Sequence, residues 1–285
     1  SKSMNSEVIT SSIPAADTLS CVEVAVPLPI PGPFSYLLDP EQVPAAKRGV
    51  RVRVPFKNRE ITGFLVGFRD TPPDQKLKKV IKILDDEPVL SESILRLTAW
   101  LAGYYLSSWG EAIEAAVPNW VKQGKRRSEK PPTSLENPPP APLKIQLTSE
   151  QEKAFALIGE SLKQERPRPL LLYGVTGSGK TELYIRAIRE VLAEGKGAIV
   201  LVPEIALTEQ IRRFFFHHFG GQLEILHSKL SDGERFSAWK RIEAGEKRVL
   251  LGPRSAIFAP MANLGLILID EEQEGSYKQE QSPRY

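Results

Sequence analysis

Apolar residues change their spacing twice along the chain. Over residues 20–84 they come in short runs, VEVAVPL, RVRVPF and ITGFLVGF, alternating with polar residues or broken by proline, glycine and charge. Runs of this length and period predict half-buried strands. Pro27, Pro29, Pro31 and Pro33 punctuate the first run, so it ends there or continues only as a sheet edge. KKVIKILD is a further strand candidate, closing at Asp85-Asp86. Ser91 is then the expected N-cap of a helix, because ILRLTAWLAGYYL places apolar residues at helical spacing. A shorter helix is expected from Trp109 to Ala116, ended near Pro118. Residues 122–142 are dense in proline and nearly free of apolar side chains, which reads as a linker. From Leu147 the pattern alternates. TSEQEKAFALIGESLKQ is a helix capped by Thr148 or Ser149, followed by a strand in PLLLYGV and a helix in TELYIRAIREVLAEGK. GAIVLVPE, LEILHS, RVLLGP and LGLILIDE are four more strands, with helices LTEQIRRFFFHHF and DGERFSAWKRIEAGE between them. Alternating strands and helices predict a parallel sheet covered on both faces. The expected fold class is therefore α/β. Residues 1–19 are a disordered leader and 20–121 a small β-rich domain with C-terminal helices. A Pro-rich linker follows over 122–144, then a parallel α/β lobe over 145–285.

Composition agrees with two globular domains: 285 residues, 41% hydrophobic and 26% charged. No apolar run approaches the roughly 20 residues that span a bilayer, so a membrane span is excluded. The first residues lack the apolar core of a secretory signal. Cys21 is the single cysteine, which excludes an internal disulfide and a multi-cysteine zinc site within these residues and fits a reducing compartment. Lys and Arg number 38 against 35 Asp and Glu, so the net charge is only +3, but its distribution is uneven. Between Lys47 and Lys82 stand eleven basic and three acidic residues, a stretch of +8. Such a patch suits a phosphate backbone. It equally suits a solvated strand edge protected by charge.

One segment carries chemistry by itself. Gly174-Val175-Thr176-Gly177-Ser178-Gly179-Lys180-Thr181 fits G-x-x-x-x-G-K-[ST], with an apolar run before it and a helix after it. Glycines allow a loop whose amides point at phosphate oxygens, and the helix N-terminus adds positive potential at the same place. Lys180 would reach the β and γ phosphates of ATP, and Thr181 would set its hydroxyl on Mg²⁺. LILIDEE supplies the partner: Asp270 ends a buried strand where a carboxylate can bind the hydrated Mg²⁺. Glu271 is the candidate base that activates water for γ-phosphate hydrolysis.

The order Gln151, GVTGSGKT, LVPEIALTEQ, LHSKLSDGERFSAW, GPRSAIFAP, LILIDEEQEGSYKQEQSPRY resembles the first motor lobe of the primosomal replication-restart helicases, the PriA family of superfamily 2 DNA helicases. The N-terminal half resembles that family's 3′-end DNA-binding domain through VPLP, FSYLL, GVRVRVPF and GFLV. The resemblance implies a RecA-like lobe in an ATP-dependent 3′→5′ helicase acting at stalled forks, in the bacterial cytoplasm. It implies forked and single-stranded DNA, single-stranded-DNA-binding protein and other primosome proteins as partners. It implies that Gln151 reads the adenine edge. Pro203–Thr208 and Arg254-Ser255 then hold the DNA backbone, with Tyr277, Lys278 and Tyr285 in an aromatic-rich loop coupling DNA to ATP. Phe34, Tyr36 and Lys78 form the pocket for a 3′-terminal nucleotide.

Four positions depart from the family pattern. Ser35 replaces an acidic residue, Lys57 a glycine, Pro253 a threonine and Gln273 a histidine. Pro253 and Gln273 favour an alternative, a fork-binding and primosome-loading module whose ATP site is vestigial or regulatory. The linker is also too short for the winged-helix domain usual at that place. The second lobe, its arginine finger and the zinc-binding cysteines expected of the family do not occur in these residues. The expectation is therefore a chain that binds DNA and nucleotide but turns over ATP poorly.

Overall fold

The computed structural model of the protein describes residues 21–70, 76–118, 146–175 and 177–278. The expected leader and linker, Thr176 and Tyr285 lie outside the described residues. The chain separates into two units, Ser1–Glu114 and Ala115–Tyr285.

The first unit is built on a five-stranded antiparallel sheet. Its strands are β1 (Cys21–Ala25), β2 (Phe34–Leu37), β3 (Arg51–Phe56), β4 (Arg59–Arg69) and β5 (Lys82–Ile83), in the order β2-β1-β4-β3-β5. Alternation sends Val22, Val24, Val52 and Val54 to one face, where they pack with Tyr36, Leu38, Val50, Leu65 and Val80. The eleven-residue β4 pairs with both β1 and β3. It passes β1 closely because position 63 is glycine: a Cβ there would stand 2.6 Å from Val24 Cγ1 and 2.7 Å from the Ala25 carbonyl. Lys57 and Asn58 close the β3–β4 hairpin, with Lys57 in the left-handed region at φ 51°. That conformation is one glycine adopts without strain, and it explains why a glycine suits this position. Arg51 and Asp85 form a buried ion pair, their side chains 8% and 10% exposed. The Asp85 carboxylate also accepts the Arg51 amide at 2.8 Å, which anchors the chain beyond β5. Helix α1 (Glu92–Tyr105) starts at Ser91, whose hydroxyl accepts the Ile94 amide, and α2 spans Trp109–Ala116. Buried Thr98 joins the two helices by accepting the Trp109 indole N–H at 3.1 Å.

The second unit holds a parallel sheet of β6 (Gly197–Leu201), β7 (Leu223–Ile225), β8 (Val249–Gly252) and β9 (Leu264–Ile269), in the order β7-β8-β6-β9. The central strands β6 and β8 are buried along their whole length, as parallel strands covered on both faces must be. Around the sheet stand α3 (Ser149–Leu162), α4 (Lys180–Ala193), α5 (Glu209–Phe219) and α6 (Asp232–Glu243). Ile185, Ile188 and Val191 of α4 and Phe215 and Phe219 of α5 pack on Ala198, Val200, Val249 and Leu251. Edge strand β9 is less covered, with Ile267 and Ile269 exposed.

One expected element does not form. PLLLYGV makes no strand, and Leu170, Leu171 and Tyr173 are exposed. The sheet therefore has four strands among the described residues instead of five. Apolar composition suits a strand, but a strand needs a paired backbone. Pro167 and Pro169 offer no N–H at the entrance to this run. Because β6–β9 are parallel, the loops that leave them gather at one edge. These loops begin at Val202, Leu226, Pro253 and Asp270. Open α/β sheets bind ligands at that edge.

Candidate nucleotide and DNA sites

The glycine-rich loop leads into the N-terminus of α4. Gly177 and Gly179 have φ of 82° and 84°, where a side chain is strained. Gly179 is the N-cap, and a Cβ on it would lie 2.3 Å from Gln151 Nε2. A Cβ on Gly174 would lie 2.7 Å from Ser178 Oγ. Both absences of a side chain let the loop close on itself. Lys180 Nζ donates to the Gly174 carbonyl at 2.6 Å and to the Val175 carbonyl at 3.1 Å. The ammonium is thus held over the loop. Thr181 follows in the first turn, half-buried.

Gln151 has both ends of its amide occupied. Its Oε1 accepts the Thr148 amide at 2.9 Å in the capping box that starts α3. Its Nε2 donates to the Ser178 carbonyl at 2.9 Å. The residue expected to read adenine therefore also ties α3 to the phosphate loop, with one N–H and one lone pair of its amide left over for a base edge.

Asp270 stands where β9 leaves the sheet, its amide donating to the Leu201 carbonyl at 2.9 Å. Its Oδ1 accepts the Tyr184 hydroxyl at 3.3 Å, and its main-chain carbonyl accepts the Tyr277 hydroxyl at 2.7 Å. Burial, and then the Asp270 charge, push the Tyr184 phenol up to about 12. Burial first, then Asp270 and Glu271, raise Tyr277 as well. Both phenols remain protonated donors at neutral pH. Glu271 is exposed, in the left-handed region at φ 50°. A non-glycine residue in that region at a strand end is a strain of the kind that collects at functional sites. Gln273 and Lys278 are exposed, and Arg254 Nη1 donates to the Ser276 carbonyl at 3.3 Å. The loop carrying Arg254 is thereby joined to the loop carrying Tyr277. The Tyr277 ring is half-buried, its hydroxyl turned to Asp270 rather than outward.

The remaining edge loops are also bound to each other. Arg235 of α6 donates to the His227 carbonyl at 3.2 Å, to Ser228 at 2.9 Å and to Leu230 at 3.2 Å. The Ser228 amide donates to Glu204 in the loop after β6 at 3.3 Å. Trp239, one turn further along α6, is buried. The HS…ER…W pattern therefore shapes this edge.

In the first unit, Phe34, Tyr36 and Phe56 wall a cavity of about 430 Å³ rimmed by Lys57, Arg69, Lys76 and Lys78. This volume suits a small-molecule site. Phe34 packs edge-on to Phe56, with ring centroids 5.3 Å apart. Tyr36 is buried, and its hydroxyl donates to the Pro55 carbonyl at 3.2 Å. It supports the wall from the core side. Ser35 Oγ accepts from Arg69 at 3.3 Å. Lys78 Nζ donates to the Lys57 carbonyl at 3.3 Å, so Lys78 also steadies the hairpin turn.

The structure thus brings Phe34, Tyr36 and Lys78 together. It also places Asp270 against the phosphate-loop helix and Arg254 against the Tyr277 loop. Sequence reasoning missed Tyr184, Arg69 and Lys76. The +8 stretch signalled the last two without ranking them. Tyr184 lies one turn after Lys180, but nothing local shows that it meets Asp270.

Two family descriptions match the chain. The 3'DNA-binding domain (3'BD) matches residues 23–118, and the type III restriction enzyme, res subunit, matches residues 144–282. Fold and matches together define the class: a helicase-type α/β lobe preceded by a DNA-binding domain. The replication restart protein PriA of Treponema pallidum (strain Nichols) is 36% identical over 280 residues, covering 93% of this chain and 40% of that protein. The protein of the same name from Rickettsia felis is 34% identical over 255 residues, covering 89% of this chain and 37% of its own. That of Bacillus subtilis (strain 168) is 55% identical over 141 residues, covering 50% of this chain and 18% of its own. The chain belongs to the PriA family of replication restart proteins. It spans about two fifths of the length of the relatives it matches across both units. Among the described residues no helix is long and apolar enough to cross a membrane.

Proposed function

We propose that this chain is the DNA-binding and ATP-binding portion of an ATP-dependent 3′→5′ DNA helicase that recognises stalled forks and unwinds DNA for replisome reloading. The observation that carries the reading is the pairing of the phosphate loop with the Asp270 strand end through Tyr184. Gly174, Val175, Thr176, Gly177, Ser178 and Gly179 cradle the phosphates, Lys180 binds them and Glu271 activates water. Gln151 keeps Ser178 with one amide hydrogen and offers the other to the adenine edge. The donor set beside the loop, a Thr181 hydroxyl and an Asp270 carboxylate, is hard oxygen and fits Mg²⁺. Bound there, Mg²⁺ would neutralise charge developing on the phosphates. Arg254 and Lys278 take DNA backbone phosphates, and the Tyr277 loop reports that contact to Asp270.

In the first unit the cavity takes a 3′-terminal nucleotide: Phe34 and Phe56 present aromatic surface, Tyr36 backs it, and Lys78 takes the phosphate. Ser35, held by Arg69, is a hydroxyl where an acidic side chain would bind a terminal 3′-hydroxyl more strongly. The proposed setting is the bacterial cytoplasm, with forked and single-stranded DNA, single-stranded-DNA-binding protein and primosome proteins as partners. Zinc belongs to the longer family members.

Two measurements test this. Anisotropy binding to matched forks with a 3′-hydroxyl or a 3′-phosphate leading end should favour the free hydroxyl; equal affinity removes end recognition. DNA-stimulated ATP hydrolysis by the full-length protein should vanish in Lys180→Ala. Absence of hydrolysis in the parent, with fork binding intact, would instead support the loading module.

A further inference from the structure

We infer that Tyr184 is the positioning residue that aims the Asp270 carboxylate at the metal. The inference rests on the proposed nucleotide site. Asp270 is held at three points. Its amide is in the sheet through Leu201, its carbonyl takes the Tyr277 hydroxyl, and its Oδ1 takes the Tyr184 hydroxyl. The first two bonds place the backbone only. Among the described residues the Tyr184 bond is the one that reaches the carboxylate, and it engages one of the two oxygens. Oδ2 is then the oxygen that would serve a bound metal.

The position of Tyr184 on α4 makes the link specific. It stands four residues after Lys180, so it lies one turn below the lysine on the same side of the helix. The helix that starts at the phosphate loop thereby touches the acidic strand end 86 residues away in sequence. At 3.3 Å the bond is longer than the usual 2.5–3.0 Å for O–H···O, which leaves the carboxylate room to draw in when charge arrives. Tyr184 is half-buried beside the buried Leu183 and Ile185, which hold its backbone in place. Outer partners of metal ligands typically change metal affinity about 10–100-fold when removed.

The test is Mg²⁺ titration of fluorescent ATP-analogue binding to the whole chain, parent against Tyr184→Phe. The Mg²⁺ concentration for half-maximal tightening should rise about tenfold in the variant. Binding in EDTA should stay unchanged, and so should the melting temperature within about 2 °C. In an Asp270→Asn background, Tyr184→Phe should make no further difference. An unchanged Mg²⁺ midpoint in Tyr184→Phe overturns the inference. So does weakening of equal size with and without Mg²⁺, which is what a merely structural role gives. If the parent chain shows no Mg²⁺-dependent nucleotide binding, the proposed nucleotide site itself is wrong.

Discussion

The basic rim of the cavity makes a quantitative prediction about salt. Eleven cations crowd Lys47–Lys82, but five are neutralised locally. Lys47 pairs with Glu87, Arg48 with Glu92, Arg51 with Asp85, Arg69 with Glu23 and Lys79 with Asp39. Lys57, Lys76 and Lys78 rim the cavity and are exposed, with no ion pair among the described residues. Of the six cations left over, these three line the cavity and are placed to exchange counterions for phosphates there. Each phosphate neutralised on a single strand contributes about −0.7 to the slope of log K against log salt, so the three contribute about −2.1. Lys76→Ala/Lys78→Ala should leave about −0.7 of that share. Between 50 and 200 mM salt, the affinity lost through the cavity is then about 18-fold in the parent and about 2.6-fold in the double variant.

The assay is anisotropy of a 5′-labelled single strand with a free 3′-hydroxyl, across a salt series. Phosphate contacts in the second unit add equally to every slope, so the difference between slopes is the quantity read. Lys196→Ala is the control, since Lys196 precedes β6 at the opposite edge and is paired with Glu194 at 2.7 Å. A slope difference below about 0.5, or an equal change in the control, would refute the assignment of these lysines to the DNA backbone.

Three further outcomes follow from the geometry. Gly179→Ala puts a Cβ 2.3 Å from Gln151 Nε2 at φ 84°; left-handed strain of about 1–2 kcal/mol and loss of the Gln151–Ser178 tie should weaken nucleotide binding in a fluorescent-analogue titration. Asp85→Ala removes the carboxylate that faces buried Arg51 and should lower the stability of the first unit by about 3–5 kcal/mol, read as a shifted urea midpoint in tryptophan fluorescence. His218 accepts at Nδ1 from Arg189 at 3.1 Å, and burial, then the Arg189 charge, lower its pKa from 6.5. The unfolded chain therefore binds this proton more readily, so the stability His218 supplies is complete above about pH 6.5 and is lost as pH falls through the lower folded value. Melting temperature should fall from pH 7.5 to 5.5, and His218→Gln should flatten that fall; an unchanged slope would show that other groups carry it.

What was legible in the sequence was local. Helix starts at Ser91 and Thr148, the glycine-rich loop, the acidic end of β9 and the buried runs of β6 and β8 each depend on residues within about one turn or one strand of each other. Caps, periodicity and motif spacing act over that range. Composition also marked residues 47–82 as basic. Run by run, the same reasoning put a strand at PLLLYGV, where the backbone stays unpaired. A run of apolar residues states what burial would stabilise, not whether a partner edge receives it.

Only the tertiary structure decided which distant groups meet. Gln151 reaches Ser178 across 27 residues, Arg51 meets Asp85 across 34, and Tyr184 meets Asp270 across 86. The strand order β7-β8-β6-β9 brings the loops after four strands to one edge, and no spacing in the chain states that order. It also decided which members of the basic stretch are neutralised and which remain for a phosphate. Hydrogen bonds and ion pairs act over a few ångströms of space whatever their separation along the chain, so register and packing, not neighbourhood in sequence, select their partners.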